Sequence, residues 1–226
     1  MQFRATMLTT GLQCKRAWSF RYLAGMEAPD TAAFQDGRAG HKYMEDLVSH
    51  GTLPDTSTKM GRVAAVLEPY VRPWVKNKLA QVEVEFDFRG AKHSWGGRKD
   101  LEVPGMLIDY KFIADLKYAM TPSQLLTNPQ ALLYGHEILQ RTEVETITLQ
   151  WLYAEKKKPH RHLPVVTEMS RTHAALGFQV LENVAEELAA LTETTVDAIV
   201  ANVPGNYSHC GAYGGCPYRA QCKRYF

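Results

Sequence analysis

From Val82 to Phe88 apolar and polar side chains alternate without a break: Val82, Val84, Phe86 and Phe88 against Glu83, Glu85 and Asp87. A period of two belongs to a strand with one buried face. Before this segment the pattern is helical. Thr9 or Thr10 is placed to cap a helix reaching to about residue 23, with Leu12, Ala17, Phe20 and Leu23 on or near one face and Cys14 within it. A second helix is expected over about 32–49, carrying Gly37, His41 and Glu45 at four-residue spacing, and a third over about 61–80. After residue 88, strands are expected over 96–103 and 106–113, then a polar loop bracketed by Pro122 and Pro129, and a helix over about 129–140. Strands over 146–154 and 165–169 follow, and a long helix over about 172–202 stops before Pro204-Gly205. Helices, then strands, then a helix, further strands and a helix predict an α/β sandwich around a mixed sheet.

The apolar run Gly105-Met106-Leu107-Ile108 leads into Asp109-Tyr110-Lys111, and Asp115-Leu116-Lys117 repeats the Asp-x-Lys pattern six residues later. Pro104-Gly105 is a good turn pair, because proline fixes φ and glycine accepts a positive φ. A turn centred there sets Val103 against Met106 and Asp100 against Asp109, with Cβ atoms roughly 4.5–5.5 Å apart on one face. Facing carboxylates repel unless a positive charge lies between them, and Mg²⁺ or Mn²⁺ suits carboxylate oxygens. Lys111, two residues beyond Asp109, projects from the same face. Two acids and a lysine are the groups a metal-assisted hydrolytic site needs. Asp115 and Lys117 lie too far along the strand to join Asp100, and are expected as exposed charge.

At 226 residues, 45% hydrophobic and 22% charged, the chain has the size and composition of one ordinary globular core. No apolar run approaches the ~18 residues of a membrane span, and the N-terminus lacks a signal peptide's apolar stretch. A cytoplasmic setting without membrane association is therefore expected. The net charge of +2 does not by itself mark a nucleic-acid binder. Basic residues do cluster at Lys156-Lys157-Lys158-Pro159-His160-Arg161-His162, and again at Arg219, Lys223 and Arg224. The cysteines stand at 14, 210, 216 and 222, and in a reducing compartment they suggest a metal site or unrelated thiols rather than disulfides.

Gly97-x-x-Asp100, Asp109-x-Lys111 and Gln130-x-x-x-Tyr134, preceded by Gly37-Arg-Ala-Gly-His41-x-x-x-Glu45, together resemble the RecB-like branch of the PD-(D/E)XK nucleases. The resemblance spans residues 37 to 134 and implies a restriction-endonuclease-like core, a central mixed sheet flanked by helices. It implies that Asp100, Asp109, His41 and the Tyr110 carbonyl hold Mg²⁺ or Mn²⁺. Lys111 would then position the attacking water and stabilise charge, and Gln130 and Tyr134 would position the lysine or the DNA strand. Glu85 is a further candidate acid. Two features depart from the family pattern. Phe112 follows the lysine where Thr or Ser is usual, and the Asp100-to-Asp109 spacing is short.

Cys14 with Cys210, Cys216 and Cys222 resembles the iron–sulfur variants of this branch, the CRISPR-adaptation nucleases and AddB nuclease domains. The implied cofactor is a [4Fe–4S] cluster stapling residues 1–25 to 203–226 as an appendage of a single 1–226 nuclease domain, with a core over about 30–170. The longer first spacing would require Gly211, Gly214 and Gly215 to curl around the cluster. The expected function is a metal-dependent DNA exonuclease acting on single-stranded ends, with aromatic side chains stacking unpaired bases and the 156–162 loop tracking phosphates. A non-catalytic DNA-binding or scaffold subunit and a restriction-type endonuclease are the alternatives. Phage recombination, CRISPR spacer acquisition and DNA repair are all compatible settings.

Overall fold

In chain order the computed structural model, which describes residues 1–211 and 215–222, runs β1 (Gln2–Phe3), α1 (Ala5–Gln13), α2 (Lys15–Tyr22), α3 (Ala32–His50), α4 (Lys59–Ala65) and α5 (Glu68–Val71). It continues with β2 (Gln81–Arg89), β3 (Ser94–Val103), β4 (Met106–Ile113), α6 (Pro122–Leu125), α7 (Pro129–Arg141), β5 (Thr146–Glu155) and β6 (His162–Ser170). It ends with α8 (Arg171–Ala189), α9 (Val196–Asn202) and α10 (Arg219–Cys222), and 3-10 turns occupy Arg72–Trp74, Leu116–Tyr118 and Tyr207–His209. Gly214 of the cysteine-bearing loop and Lys223 and Arg224 of the basic tail lie outside the described residues. No helix among the described residues is long and apolar enough to cross a membrane.

Three expected helices are broken, each for a local reason. The one over 9–23 is divided at Cys14, whose extended backbone (φ −164°, ψ 110°) ends α1 and opens α2. Asn206 secures the break: its side-chain amide donates to the Gln13 carbonyl at 2.8 Å and its backbone N–H to Cys14 Sγ at 3.3 Å. The first of these bonds satisfies a carbonyl orphaned by the helix end. The helix over 61–80 stops at Ala65 because Pro69 has no N–H for the Ala65 carbonyl and its ring would clash with it. The helix over 172–202 ends at Ala189, and Thr195 opens α9 by accepting from the Ala198 N–H. Within the loop before Pro129, Thr121 and Gln124 form a reciprocal capping box that supports α6.

The chain forms two compact units, Thr31–Phe86 with Gly97–Gly177, and Met1–Asp30 with Asp87–Gly96 and Phe178–Phe226. Three of the four boundaries fall inside β2, β3 and α8, and the other lies between Asp30 and Thr31, just before α3. In the larger unit the strands run β3-β4-β5-β6, with β2 beside β3. β3 and β4 are antiparallel and pair Val103 with Met106 and Leu101 with Ile108, the expected register. Gly105 at the turn has φ +73°, which an L side chain resists. β4 and β5 are parallel, from Met106↔Thr148 to Ile113↔Glu155, so the chain between them crosses over through α6 and α7.

One face of this sheet packs Leu101, Ile108, Tyr110 and Leu152 against Met44, Leu47, Val63 and Val71 of α3, α4 and α5 and against Leu67 just before α5. Ile147 and Met169 face the other way and meet α7 at Gly135. Lys99 is fully buried, with its ammonium 2.7 Å from Glu102, paired with Glu137 of α7, and 5.0 Å from the centre of the Phe86 ring. Arg141 of α7 binds both acids. Lys99 and Glu102 are three residues apart yet reach the same helix, so the strict alternation of β3 shifts between them.

In the smaller unit β1 pairs in parallel with Ser94 and Trp95, and the Trp95 ring meets Phe3 in a tilted contact at 5.7 Å and Phe178 edge-on at 5.0 Å. Buried Arg16 donates to the Val200 and Val203 carbonyls at the end of α9, at 3.0 and 2.9 Å. A small core of Phe20, Ile199, Val200, Val203 and Tyr218 lies beside it.

Removing one partner of a buried ion network leaves the remaining charge uncompensated, at a cost of several kcal/mol. Lys99→Ala is therefore expected to lower unfolding free energy by about 3 kcal/mol in urea titration; a loss below about 0.5 kcal/mol would place Lys99 among ordinary surface lysines.

Candidate active site

Beyond Leu101↔Ile108 the two hairpin strands are joined by a side chain. The Tyr110 N–H donates to Asp100 Oδ2 at 2.8 Å, and Asp100 Oδ1 lies 3.2 Å from His41 Nδ1. His41 reaches this point because Gly40 lets α3 approach β4 closely: a Cβ at Gly40 would sit 2.5 Å from the Phe112 ring. Phe112 in turn meets the His41 ring edge to face at 5.6 Å, so the residue that departs from the family pattern supports the histidine.

Asp109, 1% exposed, turns the other way. Its Oδ2 is 2.6 Å from Lys111 Nζ, and its Oδ1 accepts from Gln130 Nε2 at 2.6 Å. Gln130 also accepts from Lys111 Nζ at 2.9 Å, which closes a three-residue ring. Asn128 places Gln130 by capping α7, its side chain accepting from the Gln130 and Ala131 N–H groups. Tyr134, one turn further along α7, is buried against Phe86 in an edge-on ring contact of 5.3 Å.

The structure thus brings Asp100, Asp109, Lys111, Gln130, Tyr134, Tyr110 and His41 into one region of the larger unit. The two carboxylates, expected to face each other directly, instead diverge, one held by Tyr110 and His41 and the other by Lys111 and Gln130. Glu85 is exposed. Glu83, two residues earlier, joins the site: it, His41 and Asp100 each offer a ligand atom, and these atoms all lie within 4.8 Å of one another. Glu83 also pairs with Arg98 at 2.7 Å. Its φ of +52° is unusual for a side-chain-bearing residue and interrupts the alternation of β2. Nothing in the strand-like pattern around Glu83 marks that backbone twist.

Burial pushes the Asp109 carboxyl up to about 6, with the Asp100 charge adding to the rise against the pull of Lys111. Burial also raises Glu83, again assisted by Asp100. For His41 burial acts downward, but the hydrogen bond and charge of Asp100 outweigh it and the net shift is upward. Burial likewise works against the Lys111 ammonium and is overcome by Asp109 and Asp100, so the lysine stays charged. Burial lifts the Tyr134 hydroxyl to about 12.

The four cysteines are free thiols. Burial first, then the charges of the other three thiols, pushes Cys216 up. They nevertheless form no group of ligand atoms mutually within 4.8 Å; among the described residues the one such group is His41, Glu83 and Asp100. Cys14 Sγ accepts from the Asn206 N–H, and Cys216 and Cys222 pack against the small core of α2 and α9.

The second Asp-x-Lys copy forms a 3-10 turn, with Asp115 accepting from the Lys117 N–H at 2.9 Å. The basic 156–162 segment is only partly free. Lys156 pairs with Asp36 at 3.3 Å, and Arg161 makes bonds of 2.7 and 2.9 Å to the buried Glu155 carboxylate.

A mixed sheet flanked by helices, with two acids and a lysine gathered beside its central hairpin, is the arrangement of a restriction-endonuclease-like nuclease. The family model of the PD-(D/E)XK nuclease superfamily matches residues 59–223, well over half of the sequence, and the chain belongs to that superfamily. Among solved structures it is similar to a protein from Eubacterium rectale described as a candidate exonuclease, with a TM-score of 0.61, 11% identity, and coverage of 94% of this chain and 86% of that one. At that identity the likeness concerns the fold alone. A phage-related exonuclease from Haemophilus somnus 129PT aligns over 83% of this chain and 93% of its own at 10% identity, but its TM-score of 0.38 carries no weight. No curated protein matches the chain.

Asp109 and His41 both hold protons more tightly in the folded chain than in the unfolded one. The unfolded chain therefore releases them first, and from about pH 4 to above pH 6.5 stability falls as pH rises. Asp36, Glu68, Glu102 and Glu155, all lowered, act in the opposite sense, at the acid end of that window and below it. Melting temperatures of the metal-free protein are expected to drop across this range, and Asp109→Asn to flatten the drop; an unchanged slope in the variant would contradict the assignment.

Proposed function

We propose that the protein is a divalent-metal-dependent deoxyribonuclease that removes nucleotides from single-stranded ends. The observation that carries the metal-dependent part is the juxtaposition of the His41–Glu83–Asp100 ligand group with the Asp109–Lys111–Gln130 ring. An imidazole with carboxylates suits Mn²⁺ or Mg²⁺, and the crowding of buried acids gives a cation an electrostatic reason to bind. Asp100, Asp109 and His41 would hold the ion, with Glu83 and the Tyr110 carbonyl adding oxygens. When bound, such an ion polarises a phosphoryl oxygen and lowers the pKa of water.

The chain's own groups do the rest. Lys111, charged despite burial, offers its ammonium to the phosphate as negative charge builds up. Gln130 holds Lys111 and Asp109 at once and so fixes the lysine's direction without changing its charge. Tyr134 stays protonated at neutral pH, which makes it a hydrogen-bond donor rather than a base. The preference for single-stranded ends rests on the resemblance to RecB-like nucleases. The iron–sulfur cluster rests on the resemblance of the cysteine pattern, and the nuclease reading does not depend on it; iron and sulfide analysis of anaerobically purified protein measures it directly.

With end-labelled single-stranded DNA and Mg²⁺ or Mn²⁺, cleavage from the ends is expected, with circular single strands resistant. Asp109→Ala and Lys111→Ala should each lower the rate by at least about a hundredfold while keeping the wild-type circular dichroism spectrum. Cleavage that persists in Asp109→Ala would refute the site, and defined fragments from a circle would favour an endonuclease. Absence of cleavage with intact metal and DNA binding would favour the scaffold reading.

A further inference from the structure

The second Asp-x-Lys copy takes no part in the site above, yet it is not a loose charge run. Asp115 caps its own turn at 2.9 Å from the Lys117 N–H. The next N–H back, that of Leu116, donates to Glu155 Oε1 at 3.3 Å, and Arg161 clamps the same carboxylate with two bonds. Tyr118 is thereby presented on a braced turn with 59% of its surface in solvent, and Lys117 Nζ lies 5.0 Å from the centre of its ring. Arg161, itself 58% exposed in its side chain, stands beside the turn.

This turn connects to the site through two links. Lys111 on β4 and Tyr153 on β5 are partners in the parallel register. The Tyr153 hydroxyl then accepts from the Met120 N–H at 3.3 Å, two residues past Tyr118. Tyr118 is seven steps along the chain from Lys111, so the chain between them spans at most about 24 Å, a few nucleotides of an extended strand. An exposed ring with a lysine beside it matches the chemistry of unpaired DNA, where bases stack on aromatic faces and phosphates meet cations.

We infer that Lys117 and Tyr118 form a platform for single-stranded DNA, held by the Glu155–Arg161 brace, with Tyr118 stacking on a base and Lys117 meeting a flanking phosphate. This rests on the nuclease reading for its choice of ligand and sharpens it. It gives the strand a second contact beyond the scissile phosphate, and so gives the protein a way to tell unpaired from paired DNA.

Fluorescence anisotropy of the full-length protein with a labelled oligothymidine single strand in EDTA tests the platform without requiring cleavage. Tyr118→Ala is expected to bind at least about tenfold more weakly and Tyr118→Trp to restore wild-type affinity, while affinity for a blunt duplex stays unchanged. Lys117→Gln should reduce the slope of log affinity against log salt by about 0.7. Wild-type affinity in Tyr118→Ala, or an equal loss on the duplex, would overturn the platform. Wild-type protein that shows this binding pattern but never cuts DNA in Mg²⁺ or Mn²⁺ would overturn the nuclease reading instead and leave the platform standing.

Discussion

The Asp100 carboxylate is the joint on which the larger unit's site is built. It accepts the Tyr110 N–H and so joins β4 through a side chain rather than through the strand ladder, while its second oxygen anchors His41. A buried N–H without an acceptor is costly, so the bond fixes where Asp100 sits. It also places a negative charge close to a second buried acid. The rise of Asp109 to about 6 measures that crowding together with burial. Lys111 and Gln130 relieve the crowding on one side, and Arg98 relieves Glu83 on the other. Three carboxylates then face two permanent cations and a histidine whose charge varies with pH, an imbalance that suits an added cation better than an empty cleft.

Much of this was legible in the chain because the signals are local. A Pro-Gly turn fixes a hairpin register within two residues, and the register in turn fixes which acids approach each other. Gln130 and Tyr134 follow from helix spacing, whereas the pattern singles out Gly37, where an added Cβ would meet nothing within 4 Å, and leaves the close approach at Gly40 unmarked. Glu83 was not legible. Its role depends on a left-handed backbone in mid-strand, whereas the alternating pattern around it describes an ordinary solvent-facing acid. The side chains of Asp100 and Asp109 diverge for a similar reason: strand alternation assigns faces, but β3 shifts between Lys99 and Glu102 to serve the ion network of α7.

Helix breaks divide along the same line. Pro69 ends α4 by its own covalent geometry and could be read directly from the sequence. The break at Cys14 depends on Asn206, 192 residues away, and no local pattern contains it.

The two Asp-x-Lys tripeptides show how context divides one motif. In Asp109-Tyr110-Lys111 the backbone is strand, residues two apart share a face, and acid and ammonium meet at 2.6 Å. In Asp115-Leu116-Lys117 the strand has ended at Ile113, and the same spacing turns the aspartate back onto the lysine's N–H instead of its side chain. The acid that in one copy neutralises a lysine in the other releases it to solvent, beside an exposed ring. Identical spacing thus yields an inward pair poised for a phosphate in one place and an outward cation with an aromatic neighbour in the other. Strand continuity alone separates the two.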